Sequence, residues 1–527
     1  MGFRGMTEAP PPPQPIASSQ ADLVAFLEQT LGNEHPCKRI DTHAASVFLA
    51  GDRAWKLKRA VSYPYLDFSS PARRRAALEA ELRLNRRTAP NLYLTVHPIV
   101  RTATGFHIGG DGEPVDWLLE MRRFPDDALL DTIARKGSLD PQMLINLADR
   151  IHSFHASAEA VIHAHGADDV RHVIEGNAES LRQFERLFGQ QRITSLIEAQ
   201  QSLCRHHSAL LDARAREGCV RHTHGDLHLA NIALIDGEAV PFDCLEFDAD
   251  LATTDILYDL AFLLMDLWHR GLGTEANLVF NRYIDVSGDE EGVRLLGLFL
   301  SLRAAIRAHV LAATAEQTES AADIVEAHGF LTLAEAVLES RPVALVAIGG
   351  LSGSGKTVVA RAIGDKFGAA PGARILRSDV LRKRLAGVEP ETRLPESFYT
   401  PLASRTVYDL LADCAGRHLA AGTFTIADAV FSEAEERARI ARPAIHERVP
   451  FVGCWLEASR SNRLDRVAGR SKDASDADAR IVQMQSVRHT SSLRSWRRIA
   501  ADAPLATVAG ATCAYVKQVL GADKGLA

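Results

Sequence analysis

Two stretches of this chain carry residue types and spacings suited to handling phosphate. In the first, "VALVAIGGLSGSGKT" from Val343 to Thr357, an apolar strand runs into Gly350-x-x-x-x-Gly355-Lys356-Thr357, and "VVARAIGDKFG" then carries a helical apolar repeat to Gly368. Strand, loop and helix in that order make a P-loop. Gly350, Gly353 and Gly355 let the loop's N–H groups, that of Ser354 included, turn inward around phosphate oxygens, and the helix N-terminus adds a positive dipole. Lys356 reaches the outer phosphates and the Thr357 hydroxyl can ligate Mg2+.

The second stretch, "HTHGDLHLANIALIDGEAVPFDCLEFDADLATTDILYDLAFLL", holds two short apolar strands joined by Asp236-Gly237, a dipeptide preferred in two-residue hairpin turns. If Ile235 pairs with Glu238, then Asn231 pairs with Phe242, and Asp243 falls diagonally beside Asn231. An amide oxygen and a carboxylate then reach a common Mg2+, which wants hard oxygen ligands. Asp226, five residues before Asn231, can accept a hydroxyl proton or hold the hydroxyl aligned as it attacks a γ-phosphate.

Upstream, "ASVFLAGDRAWKLKRAV" reads as two strands, the second with Ala54, Lys56 and Lys58 on one face and Trp55 and Leu57 on the other. The following helix, with Ser70 as N-cap and Pro71 at its first position, turns Leu78, Leu82, Asn85 and Glu81 to one side. A strand lysine with a helix glutamate is the arrangement of a protein-kinase-like small lobe, where the ion pair positions the lysine on nucleotide phosphates. Spacing alone does not choose between Lys56 and Lys58.

Here the chain resembles the aminoglycoside phosphotransferase and choline kinase group, marked by His-Gly-Asp-x-x-x-x-Asn and a later metal-binding Asp. The matching residues are His224, Gly225, Asp226 and Asn231, then Asp243, with Asp259 of "DILYDLA" in a structural role. The resemblance implies Asp226 as catalytic base, Asn231 and Asp243 as Mg2+ ligands, Lys56 on ATP phosphates and Glu81 as its partner. One departure stands out: the small-lobe glycine loop is replaced by "DTHAASVFLAGD". A nucleotide-binding pseudokinase is the alternative for this half.

Beyond the P-loop, apolar segments "ALVAIG", "RILR", "FTIAD", "FVGCWLE" and "LATVA" read as strands alternating with helices. That pattern predicts a doubly wound parallel α/β sheet with ligands at the carboxyl ends of its strands. Asp379 and Arg382 follow the second strand and Asp428 ends the third, so Asp379 can receive a substrate hydroxyl and Asp428 can hold Mg2+ through water. "SEAE" at Ser432 to Glu435 reads as a capping box. Arg463, Arg466 and Arg470 share one helix face, either as a lid over transferring phosphate or as a solvated basic stripe. This half resembles the gluconate kinase and polynucleotide kinase group, which implies ATP-dependent phosphorylation of a hydroxyl, with Asp379 as base and Arg466 and Arg470 as lid candidates. The two halves together resemble a bacterial bifunctional architecture.

The chain has 527 residues, enough for several domains. The expected organisation is a disordered proline-rich tail (1–20), a bilobal α+β kinase-like domain (21–340, small lobe 21–115, large lobe 116–340) and a P-loop domain (341–527). A net charge of -7 argues against nucleic acid or anionic membrane as main partner, leaving small hydroxylated metabolites. Seven cysteines without a Cys-x-x-Cys pair suit free thiols in a reducing cytoplasm. The longest apolar runs, "ILYDLAFLLMDLW" and "LLGLFLSLRAAI", look too short to span a bilayer. The histidines at 152, 155, 163 and 165 lack metal-ligand spacing. The expectation is therefore a cytoplasmic, bifunctional ATP/Mg2+-dependent phosphotransferase. A P-loop half acting only as an ATP-driven switch is the alternative.

Overall fold

Helix α1 (Ser18–Gly32) opens the computed structural model, which describes residues 18–33, 35–42, 44–63, 66–246, 249–469, 473–486, 493 and 495–521. The tail expected over 1–20 falls mostly outside these residues, but its last members are helical. Gln20 is buried: its amide donates to Lys58 O at 3.0 Å and Asp116 Oδ2 at 2.9 Å and accepts from Ala60 N–H at 2.7 Å. A side chain so fully bonded is part of the small-lobe core, which moves the tail boundary back.

An antiparallel sheet follows, made of β1 (Cys37–Asp41), β2 (Ala45–Ala50), β3 (Arg53–Lys58), β4 (Tyr93–Thr102), β5 (Gly105–Ile108) and β6 (Glu113–Arg122), in the order β1-β2-β3-β6-β4-β5. Period-two alternation sorts its faces. Leu57, Phe48, Ile99 and Leu118 pack with Leu23, Val24 and Leu27 of α1. The opposite face meets helix α2 (Pro71–Asn85), whose Leu78 packs with Tyr93 and Leu119. Ser70 caps α2 by accepting from Arg73 N–H, and Glu81 is fully buried as the helical phase requires. Where a glycine loop was absent from the sequence, Thr42 N–H bonds Ala45 O at 2.8 Å and Ala45 N–H bonds Thr42 Oγ1 at 3.0 Å, closing β1 onto β2 tightly.

Helix α3 (Pro141–Ser157), the hairpin β7 (Ile232–Ile235) and β8 (Glu238–Pro241), and helix α4 (Ile256–His269) form the centre of the larger lobe. Ile235 pairs with Glu238 as predicted, and Asp236 and Gly237 take the positive φ values of such a turn. The helix Leu296–Thr318 corrects one expectation. With its preceding turn it is long and apolar enough to cross a membrane, but 78% of that window is buried, so its apolarity serves the core.

His309 lies on that helix, 2% exposed, and burial pushes its imidazole down to about 4. The folded state holds it neutral while the unfolded chain protonates near 6.5, so stability is present above that pH and lost as pH falls toward 4. Denaturant unfolding is expected to show that His309→Leu removes about 2 kcal/mol of the wild-type loss between pH 7 and pH 5. An equal loss in both proteins would assign the titration elsewhere.

Contacts divide the chain into two compact units, Met1–His269 with Leu298–Leu338, and Arg270–Gly297 with Glu339–Ala527. The boundary expected near 340 is therefore incomplete, because helix α5 (Gly273–Ser287) and the turn after it belong with the P-loop. The second unit is built on a parallel sheet of β9 (Leu345–Gly349), β10 (Arg374–Arg377), β11 (Thr425–Asp428), β12 (Phe451–Glu457) and β13 (Arg497–Ala500), ordered β10-β11-β9-β12-β13.

Arg374, at the start of β10, is 1% exposed and explains why α5 is here. It bonds Glu290 through two contacts (2.9 and 2.8 Å), Asp285 at 2.8 Å and Asn281 Oδ1 at 2.9 Å, and His418 reaches Glu290 at 2.9 Å. A guanidinium at that depth is tolerable only with such counter-charges.

Two local readings are also corrected. "LATVA" begins the helix Leu505–Leu520 behind Pro504, and the edge strand is "RRIA". The capping box sits one residue later than expected, at Glu433 and Glu436.

Candidate active sites

In the first unit β3 and α2 face each other through charge. Lys56 Nζ lies 2.6 Å from Glu81 Oε1 and 3.3 Å from Asp243 Oδ1. Lys58 Nζ lies 2.7 Å from Glu81 Oε2 and 2.7 Å from Glu246 Oε1. Burial works to raise the Glu81 carboxyl, but the two ammonium groups hold it at about 2. The two lysines differ in exposure: Lys58 is 2% exposed and enclosed, whereas Lys56 is 15% exposed and stands beside Asp243.

The loop before the hairpin is held by Asp259 of α4, which accepts Gly225 N–H at 2.8 Å, His224 N–H at 3.2 Å and His155 Nε2 at 3.0 Å. Gly225 has φ +81°, and a Cβ there would come within 3.0 Å of Leu245 Cβ. Asp226 follows. Asn231 Nδ2 donates to Asp226 Oδ2 at 2.8 Å and to Asp226 O at 3.0 Å. His228 Nδ1 accepts Ala230 N–H, which leaves the proton on Nε2, 3.5 Å from Asp226 Oδ2. Burial works to raise Asp226, but His228, His224 and Arg307 hold it well below the usual carboxylate range. The group is thus ionised across physiological pH.

Phe242 N–H bonds Asn231 O at 2.9 Å, so the register brings Asn231 opposite Phe242 and next to the Asp243 turn. With its NH2 spent on Asp226, Asn231 keeps Oδ1 as the end available to a cation. Asp243 is 43% exposed, has φ +61° and donates its N–H to Tyr93 Oη at 3.2 Å. Amide and carboxylate oxygens suit Mg2+. Among the described residues no group of three His, Cys, Asp or Glu side chains could hold a metal ion.

In the second unit the P-loop turns between β9 and helix α6 (Lys356–Gly364), with Gly350, Gly353 and Gly355 all at positive φ. A Cβ on Gly353 would lie 2.5 Å from Arg463 O, so only glycine lets the loop pass helix α8 (Arg460–Ala468). Gly353→Ala is expected to abolish nucleotide binding at this loop, measured by calorimetry, and retained affinity would refute the packing argument. Ser354 is 1% exposed, and Lys356 Nζ lies 3.3 Å from Leu351 O.

Thr357 Oγ1 donates to Asp428 Oδ2 at 2.5 Å, so the two expected Mg2+ ligands meet. Asp379 begins helix α7 (Ser378–Leu385), and burial raises its carboxyl, with Asp428 adding to the rise against Arg377 and Lys356. A raised carboxyl is the better proton acceptor. Arg466 NH1 lies 3.4 Å from Ser354 O and its NH2 lies 2.7 Å from Ala501 O, placing one lid candidate against the loop. Arg463 is buried, and Arg470 lies outside the described residues. Arg382 is turned to Phe398 O at 2.6 Å and stacks over Tyr399.

A protein-family model described as an AAA domain matches residues 345–491. The uncharacterized protein Rv2004c of Mycobacterium tuberculosis is 30% identical over 458 residues, covering 85% of this chain and 89% of that one. Mb2027c of Mycobacterium bovis matches equally. The chain belongs to their family.

Solved structures are similar over parts of it. The GDP complex of aminoglycoside 2'-phosphotransferase-IIIa covers 60% of this chain and 99% of its own at 14% identity and TM-score 0.38. A choline/ethanolamine kinase family protein from Mesorhizobium loti covers 61% and 95% at 13% identity and TM-score 0.36. A gluconokinase from Sinorhizobium meliloti covers 35% and 97% at 18% identity and TM-score 0.25.

In this family member several site residues escape sequence reasoning. His228 touches Asp226, but a histidine two residues on carries no spacing signal. Asp266, two turns beyond Asp259 on α4, accepts Leu229 N–H at 3.0 Å; its burial phase could have shown it. Arg377 ends β10 and pairs with Asp473 at 2.7 Å, with Asp428 3.8 Å away. Gln485 of helix α9 (Ala479–Ser486) accepts Ser352 N–H of the P-loop at 2.8 Å, a contact across 133 residues that no local pattern announces.

Proposed function

We propose that the chain is an ATP- and Mg2+-dependent phosphotransferase with two centres, each passing a γ-phosphoryl group to a hydroxyl of a small metabolite. The observation that carries this is the repetition of one chemical set in two unrelated folds. Each unit brings together a lysine ammonium, two oxygen-bearing side chains and a further carboxylate, which supports reading them as phosphate, Mg2+ and hydroxyl partners.

In the first unit Lys56, oriented by Glu81, binds the donor phosphates, and Asn231 and Asp243 would hold Mg2+. Asp226 orients the acceptor hydroxyl and takes its proton as the oxygen attacks phosphorus; the bond to the leaving nucleotide oxygen breaks. In the second unit the P-loop N–H groups and Lys356 bind the phosphates, and Thr357 and Asp428 would hold the ion. Asp379 receives the proton and Arg466 lies against the loop as a candidate for charge on the transferring group. Bound Mg2+ supplies neutralisation of phosphate charge at both centres.

A second reading makes the P-loop unit a nucleotide-driven switch for the first. It is favoured by the 270–297 segment, which interrupts one unit to complete the other. The test uses the full chain, because that segment prevents clean division. ATP consumption is measured across hydroxylated metabolites, with a labelled oligonucleotide as a further acceptor, for wild type, Asp226→Asn and Lys356→Ala. Each variant is expected to lose one acceptor and keep the other. One acceptor, lost in Asp226→Asn and modulated in Lys356→Ala, selects the switch; no acceptor lost in either removes the proposal.

A further inference from the structure

The two lysines of β3 do not stand in equivalent surroundings, and the less exposed one has no part in the mechanism above. Lys58 bridges the buried Glu81 and Glu246, both at 2.7 Å, and its ammonium also lies 5.3 Å from the centre of the Phe68 ring. Glu246 is three residues beyond Asp243. The four-residue turn from Asp243 to Glu246 is thus fastened to β3 at both ends, by Lys56 at one and Lys58 at the other.

That turn needs fastening. Asp243 occupies the left-handed region at φ +61°, which a non-glycine residue holds only when its surroundings impose it. Neutral contacts help: Asp243 N–H to Tyr93 Oη, Cys244 N–H to Asn85 Oδ1 at 2.8 Å and Leu245 N–H to His224 O at 2.9 Å. The Lys56 contact to Asp243 is the long one, at 3.3 Å, and it joins two groups that a donor nucleotide and its ion recruit for themselves. When Lys56 turns to phosphate, the charged fastening left on the turn is Lys58 to Glu246.

We infer that Lys58 is a positioning residue. Through Glu246 it fixes the Asp243 segment so that the carboxylate is presented to Mg2+, while its contact with Glu81 Oε2 holds the carboxylate whose other oxygen orients Lys56. The inference rests on the phosphotransferase reading of the first unit, and the experiment separates the two.

Binding of mant-ATP is followed by fluorescence as MgCl2 is titrated, in the full chain carrying Lys356→Ala so that the P-loop does not contribute. Lys58→Met is expected to raise the Mg2+ concentration for half-maximal binding about tenfold, the low end of what losing support behind a metal ligand costs. Lys58→Arg restores most of it. Glu246→Gln alone raises it too, and the double variant Lys58→Met/Glu246→Gln goes no further than Lys58→Met, because Lys58→Met already cuts the link that Glu246→Gln removes. If Lys58→Met does not fold, Glu246→Gln decides.

An unchanged Mg2+ requirement in the folded variants, or additive effects in the double variant, overturns the inference and leaves the phosphotransferase reading standing. Absence of mant-ATP binding by the parent chain at every Mg2+ concentration overturns both.

Discussion

Expression of residues 339–527 alone is expected to give protein that does not fold. The fragment keeps all five parallel strands and the P-loop but loses the segment that satisfies Arg374. Without Asn281, Asp285 and Glu290, a guanidinium 1% exposed keeps none of these partners, and His418 loses its carboxylate as well. Asn277, which bonds Pro371 O at 2.9 Å and Ala373 O at 3.0 Å, goes too, stripping the entry to β10.

Removing one side of a buried ion pair costs about 3–5 kcal/mol, a large share of the roughly 5–15 kcal/mol that holds a domain together. The full chain carrying Arg374→Met should show a loss of about that size in denaturant unfolding, because carboxylates are then buried without their cation. Near-UV circular dichroism and limited proteolysis check the fragment. Fusing residues 270–297 ahead of residue 339 should restore cooperative folding. A fragment that is native without them would show the network to be dispensable.

Asp226→Asn should reduce turnover at the first centre by about a thousandfold while leaving donor binding within a few-fold. The substitution keeps shape and removes the charge that receives the hydroxyl proton. Asn231 Nδ2 and His228 Nε2 both present N–H to Asp226 Oδ2, so an amide placed there must turn its oxygen toward them and present NH2 to the acceptor, where a donor cannot accept a proton. Single-turnover phosphoryl transfer, measured beside mant-ATP affinity, makes the comparison. Unchanged transfer would strip Asp226 of its role.

The carboxyl's depressed titration adds a pH signature. It stays ionised across physiological pH, so the acid limb of the rate profile should not arise from Asp226 itself.

The parts of these centres that were legible in the sequence are those whose logic is local. The hairpin around Asp236-Gly237 fixes its own register by turn type, so Asn231 against Phe242 could be read from spacing. Glu81 could be turned inward by helical phase because α2 begins at a recognisable cap. The P-loop needs only its own glycines.

What was not legible depends on contacts remote in sequence. Arg374 finds its partners 84 to 93 residues earlier, and nothing in "RILR" announces a buried charge. The choice between Lys56 and Lys58 is one of depth, which strand alternation cannot supply because both share a face. "LATVA" misled because a short apolar run satisfies strand and helix alike, and Pro504 at its head was the cue that it opens a helix.

The tight closure of β1 onto β2 at Thr42 and Ala45 has a consequence for how the first centre is supplied. Under the proposed chemistry the first centre would hold its donor through the Lys56 ammonium and an ion at Asn231 and Asp243, with no glycine between β1 and β2 to bring backbone amides over the phosphates. The second would add the amides of a loop turned by Gly350, Gly353 and Gly355. The second is then expected to fill at the lower donor concentration, so that output from the first follows the supply of donor more closely.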